Sequence, residues 1–259
     1  MVHIELRNLH VDFPLLQTEQ RSLKRLLSAP FKSRRFGLDH SERVTLHALT
    51  RINLTLAQGD RIALIGANGA GKSTLLRVLA GIYPPAVGSA DIRGRVGALL
   101  TTGLGLRDDA SGYDNIEFCL LLQGIPAHEI GDRGKEIAEF TELGKYLNLH
   151  VGALSSGMRL RLAFAISTAI DPDILLIDEI FGVGDAAFMQ KAEARLSGLI
   201  QRSKILVLAS HSPSLAQIFC DRALWLDNGE IRADGPVDEI LSAYLDSASA
   251  LNVTSPFQL

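Results

Sequence analysis

Residues Gly66-Ala67-Asn68-Gly69-Ala70-Gly71-Lys72-Ser73 fit the pattern G-x-x-x-x-G-K-[ST], with Thr74 next in the chain. The octet lies between an apolar run, Arg61 to Ile65, that reads as a buried strand, and Ser73 to Ala80, which reads as a helix. Strand, glycine-rich turn and helix in that order make a backbone suited to wrapping phosphate. The glycines let successive N–H groups turn toward one anion, and the helix N-terminus adds its partial positive charge. Lys72 then neutralises the β- and γ-phosphates and the Ser73 hydroxyl ligates Mg²⁺. A glycine-rich turn with a surface lysine is the plainer alternative, and it leaves the strand and helix on either side unexplained.

Further short apolar strands are expected at Val2 to Leu6, Ile52 to Leu56, Ile174 to Ile177 and Ile205 to Ala209, with helices near Ala187 to Ile200 and Pro213 to Phe219. This alternation predicts an α/β fold of the P-loop NTPase kind, with a mostly parallel sheet, helices on both faces and a small antiparallel portion. Phe188, Ala192, Leu196 and Leu199 share one helical stripe that reads as core. Residues from about Ser111 to Ile170 read as a helical subdomain with the stripe Ile137, Phe140, Leu143 and Leu147. The chain closes with Arg222 to Leu226, an Asn228-Gly229 turn and Glu230 to Ala233, a hairpin followed by a helix to Leu245 and a tail expected to fray after Ser247.

Ile174-Leu175-Leu176-Ile177 runs into Asp178-Glu179, two carboxylates at a strand end, where nucleotides bind in parallel sheets. Asp178 is expected to hold Mg²⁺ and Glu179 to act as the base that polarises the attacking water. Together the motifs predict ATP and Mg²⁺ as ligands.

The 259 residues are 47% apolar, enough for a substantial core. With 26 basic and 29 acidic residues the net charge is −3, which excludes the broad positive field of a dedicated nucleic-acid binder. Cys119 and Cys220 lie far apart in predicted elements and read as buried thiols in a reducing compartment. The opening residues alternate like a strand and lack a signal-peptide pattern, and no run of about 18 apolar residues occurs, so any membrane role needs a second chain.

Leu154-Ser155-Ser156-Gly157-Met158, with Arg161 behind it, resembles the LSGGQ signature of ABC ATPases. Physically, Ser155 suits the cap of a helix whose first N–H groups, with Ser156 and Gly157, make a second anion site. The resemblance implies a head-to-tail homodimer in which each signature completes the other subunit's ATP site. It also places Asp185 in the D-loop across that interface and His211, after the strand Ile205 to Ala209, at the switch position contacting the γ-phosphate. The segments YDNIEF, IAEFTELGKYL, SSGMRLRLAFAI and LLIDEIFGVGDAAF look like those of ATPase subunits of bacterial polysaccharide exporters, over residues 44 to 246. That likeness implies ATP hydrolysis at the cytoplasmic face of the inner membrane, a separate permease and a lipid-linked cargo such as O-antigen, capsule or teichoic acid. An ABC ATPase for another cargo, or a soluble one without a permease, is the alternative.

One position departs from the family pattern. Thr101 stands where the family usually carries glutamine, and so short a side chain implies that coupling runs through Thr102 or ordered solvent. The adenine-stacking aromatic is assigned to Phe13, with a core role for it, or Phe36 in the following insertion, as the alternatives. Residues 21–43 form an insertion with seven basic residues, among them Arg34 and Arg35, against Asp39 and Glu42, suited to anionic lipid or to the permease. The domain is expected to span residues 1–246, leaving a short tail over 247–259 with no carbohydrate-binding domain to read the glycan end.

Overall fold

The computed structural model describes residues 1–14, 36–38, 44–100, 105–178, 186–210 and 212–253. In chain order the elements are β1 His3–Pro14, β2 Phe36–Leu38, β3 Val44–Ala57, β4 Arg61–Ile65, α1 Lys72–Leu79, β5 Val87–Arg93, β6 Val96–Leu99, α2 Gly112–Leu122 and α3 Ala127–Thr141. There follow short 3₁₀ turns at Gly144–Asn148 and Val151–Ala153, then α4 Ser156–Ser167, β7 Ile174–Asp178, α5 Ala186–Arg202, β8 Ile205–Ala209, α6 Pro213–Phe219, β9 Arg222–Asp227, β10 Glu230–Pro236 and α7 Val237–Val253. The chain divides into two compact units, Met1–Arg93 with Val207–Leu259, and Gly94–Leu206.

In the first unit, β2, β3, β1 and β5 form an antiparallel sheet in that order. Strands β1 and β3 are much longer than strict alternation predicts, because a bulge shifts their phase. Ile4 and Leu6 point inward before it, Leu9 and Val11 after it, and Asn8 and Arg51 take positive φ of 43° and 51° at the irregularity. Asn53 braces the kink, accepting from the Asn8 N–H at 2.8 Å and donating to the Arg51 carbonyl at 3.2 Å. The same unit carries β4, parallel to β9, and β9 antiparallel to β10. Asn228 and Gly229 turn that hairpin at φ 51° and 81°, as a two-residue connection between twisted strands requires. Trp225 of β9 packs edge-on against Tyr244 of α7 at 5.5 Å, and α7 continues to Val253, beyond the limit expected from the sequence.

In the second unit, β6 pairs parallel with β7 from Val96↔Ile174 to Leu99↔Ile177. Neither β5 nor β6 is evident from periodicity, since both are short and β6 contains a glycine. Gly97 has a packing reason: a Cβ there would sit 2.8 Å from the Pro172 ring. Helices α2, α3 and α4 surround a core of Ile116, Leu120, Ile137, Leu147, Leu162 and Ala165. Truncating a buried leucine in such a core costs about 2–5 kcal/mol. Phe188 of α5 lies edge-on to Phe140 at 5.5 Å and to Phe164 at 6.3 Å, docking α5 on the helical core.

Candidate functional site

The turn between β4 and α1 is held in one conformation by glycine sterics. Gly66, Gly69 and Gly71 take φ of 145°, 78° and 113°, a region that side chains disfavour. At Gly66 a Cβ would fall 2.2 Å from the Leu226 carbonyl oxygen, and at Gly71 2.9 Å from the Leu49 side chain. The loop is braced from behind, because the Gly229 N–H donates to the Ala70 carbonyl at 2.9 Å while the Gly229 carbonyl accepts from the Thr50 N–H at 2.8 Å. Ala67, Asn68 and Gly69 are the exposed crest. Helix α1 starts at Lys72 with Gly71 as its N-cap and no side-chain cap, so its first N–H groups are presented at the loop.

Lys72 is only 8% exposed, and its ammonium donates to the carbonyls of Gly66 at 2.6 Å and Ala67 at 3.1 Å. The charge is thus folded over the loop rather than out in solvent. Ser73 and Thr74 are half-buried on the first turn of α1.

In the second unit, β7 ends in Asp178, 6% exposed and without a hydrogen-bond or ion-pair partner among the described residues. A lone buried carboxylate is costly unless a cation or donor meets it, so this acid fits a metal ligand. Among the described residues no group of three or more His, Cys, Asp or Glu could hold a metal ion. Glu179, Asp185, His211 and Thr101 lie outside the described residues, as does the insertion 21–43 apart from Phe36–Leu38.

The signature segment begins α4. Ser155 is the N-cap, its Oγ accepting from the Met158 N–H at 3.3 Å. Ser156 is exposed and Gly157 half-buried, and a Cβ on Gly157 would meet nothing within 4 Å, which leaves this helix end accessible to an incoming group. Arg159 pairs with Asp108 at 2.6 Å, and an open cavity of about 640 Å³ borders Ser156 and Arg159. Arg161 lies 4.9 Å over the Phe188 ring, which ties α4 to the start of α5.

Phe13 is half-buried on β1, edge-on to Tyr83 at 5.1 Å, and Tyr83 lies beyond the C-terminal end of α1 with Arg77 5.9 Å over its ring. Tyr83 was not singled out from the sequence; the aromatic-proline spacing after α1 was the available signal. Asn115 was also missed. It accepts from the Arg107 N–H at 2.7 Å and donates to the carbonyls of Arg107 and Ser111, fixing the segment that leads into α2. The Ser111-x-x-Asp114 capping box beside it was legible as a helix start. Hydrogen bonds from the Ser111 hydroxyl and then its backbone N–H hold the Asp114 carboxyl below the usual carboxylate range.

A family described as ABC transporter matches residues 49–182. The O-antigen export system ATP-binding protein RfbE of Yersinia enterocolitica is 43% identical over 231 residues, covering 89% of this chain and 97% of its own. O-antigen export system ATP-binding protein RfbB of Myxococcus xanthus is 41% identical over 80% of this chain, and teichoic acids export ATP-binding protein TagH of Shouchella clausii 38% identical over 77%. This chain spans 48% and 55% of those two relatives, about half of each. Among solved structures, the dimeric post-hydrolysis state of the ATP-binding cassette MJ0796 bound to ADP and Pi aligns with a TM-score of 0.65 at 21% identity, covering 90% of this chain and 98% of that one. An ATP-binding subunit of an ABC transporter aligns with a TM-score of 0.68 at 20% identity, covering 96% and 98%. These two show the fold.

Proposed function

The chain belongs to the ABC transporter ATP-binding family, and on that premise we propose that it is the ATP-hydrolysing subunit of an exporter of lipid-linked cell-surface polysaccharide. It acts as a homodimer at the cytoplasmic face of the inner membrane, beneath a separate integral-membrane permease that handles the cargo. The reading is carried by one observation: a braced phosphate loop, in a chain that matches an O-antigen export ATP-binding protein over nearly the full length of both. Among the described residues no helix is long and apolar enough to cross a membrane.

The ATP phosphates lie over Gly66 to Gly71, whose N–H groups and the α1 N-terminus bind them, with Ser73 and Thr74 beneath. Lys72 exchanges its loop carbonyls for the β- and γ-phosphate oxygens. Ser73 and Asp178 would hold Mg²⁺, which would supply positive charge to the phosphates. Phe13 stacks on the adenine. Glu179 accepts the proton of the attacking water as its oxygen bonds to the γ-phosphorus and the bond to the bridging oxygen breaks, and His211 hydrogen-bonds the γ-phosphate. Ser155, Ser156 and Gly157 of the second copy close over the same phosphate, Asp185 lies at that interface, and Thr101 links the site to the helical subdomain near 111–170 and so to the permease.

Deleting the gene in its native cell tests the cargo assignment. Loss of surface polysaccharide with lipid-linked glycan accumulating inside supports it; unchanged amounts of both overturn it and leave an ABC ATPase of different cargo.

A further inference from the structure

Unit 2 contains a cavity of about 600 Å³ that none of the residues assigned above lines. Its walls carry four guanidinium groups, Arg95, Arg133, Arg195 and Arg202, against one carboxylate, Asp171. Two of the four are already neutralised: Arg202 donates to Asp171 at 3.0 and 2.8 Å, and Arg133 to Glu129 at 3.1 Å. Arg195 is held half-buried by its Nε, which donates to the Thr168 carbonyl at 3.2 Å, and by the Phe140 ring 4.2 Å beneath its guanidinium. Its two terminal nitrogens have no hydrogen-bond partner among the described residues, and burial pushes its pKa down against the pull of the Glu136 and Asp171 carboxylates.

Arg95 is arranged the other way round. Its backbone is pinned, the N–H donating to the Asp173 carboxylate at 2.9 Å and the carbonyl accepting from the N–H groups of Asp173 and Ile174 at 2.9 and 3.0 Å. Arg95 lines the cavity, and its side chain makes no hydrogen bond or ion pair among the described residues beyond a longer-range attraction to Asp173. Two guanidinium groups with N–H donors to spare on a preformed wall match an anion with several oxygens, as a phosphate ester is and a single carboxylate is not. The volume falls in the range that holds a small organic ligand, larger than inorganic phosphate alone needs.

We propose that this cavity is a second anion site that binds a phosphorylated small molecule, clamped by Arg95 and Arg195. Because its walls come from Thr168–Asp171, at the end of α4, and from Ala194–Arg202 of α5, the bound molecule ties the signature helix to the helix that follows Asp185.

Inorganic pyrophosphate titrated calorimetrically into the full-length Lys72→Ala chain, in which the phosphate loop is weakened, is the test. Pyrophosphate should bind, about tenfold more weakly after further Arg95→Ala and with partial recovery in Arg95→Lys. The Arg95 side chain makes no hydrogen bond or ion pair among the described residues, so circular dichroism should be unchanged. In the Lys72→Ala chain, amide exchange should slow at 168–171 and 194–202 on binding. No binding up to about 10 mM, or an affinity indifferent to Arg95→Ala, overturns the proposal. Should Arg95→Ala misfold, the exchange footprint decides: protection confined to 66–74 contradicts the site.

Discussion

The Gly229 N–H donates to the Ala70 carbonyl at 2.9 Å, so the turn of the β9–β10 hairpin holds the phosphate loop from behind. Gly229 has φ 81°, and a Cβ on it would meet the Ala48 carbonyl oxygen at 2.5 Å. Gly229→Val should therefore displace the turn and the loop together. Strain of about 1–3 kcal/mol is expected at such a position. The measurement is ATP affinity alongside Tm: both should fall, with binding weakened roughly tenfold. Unchanged affinity in a destabilised protein would show that the brace supports the fold alone.

Phe13 and Tyr83 make separable contributions. Phe13→Ala removes the stacking face and should weaken ATP by about 0.5–1.5 kcal/mol, while Tyr83→Ala removes only its edge-on neighbour and should weaken it less. Fluorescent-nucleotide titration distinguishes them. Equal affinity for Phe13→Ala and the parent removes Phe13 from the site.

Cys220 is buried, and burial, then Asp221, pushes its thiol up to about 12, while burial raises Cys119 as well. At pH 8 the reactive thiolate is scarce at both. A thiol reagent should label less than about a tenth of either in the native protein and both in denaturant. Fast native labelling would contradict the burial of both thiols.

The ion pair from Lys204, at 2.8 Å, and then the Arg95 N–H hold the Asp173 carboxyl below its usual value. A depressed folded-state pKa adds stability that is present above the unfolded pKa and lost as pH falls through the folded one. Asp173→Asn should lower Tm at neutral pH, and the gap from the parent should close as the pH falls below the ordinary carboxylate range. A gap independent of pH would mean that the substitution acts through packing instead.

How far the sequence discloses this molecule depends on how local each signal is. The phosphate loop, the Asp178 strand and the Ser155 cap are short patterns whose meaning lies in adjacent residues, so both the elements and the chemistry they suit could be read directly. Strands β1 and β3 were read only in part, because the bulge at Asn8 and Arg51 shifts the phase that alternation depends on. The brace from Gly229 to Ala70 was not readable, since 159 positions separate the partners and Asn228-Gly229 signals a turn without indicating what it touches. The guanidinium cavity was illegible for the same reason: Arg95, Arg133, Arg195 and Arg202 form no motif and meet only through the packing of β6, α3 and α5.

In the proposed dimer each ATP site is shared between two copies, and mixing two inactive variants checks whether it is. Lys72→Ala disables the phosphate loop. Gly157→Asp sets a carboxylate at the signature, where a Cβ meets nothing within 4 Å and the fold should tolerate it. Each variant alone should lack ATPase activity. Their equimolar mixture should recover about a quarter of the parental rate, because half of randomly paired dimers are hybrids and each hybrid keeps one intact site. A mixture as inactive as its components would contradict the shared site.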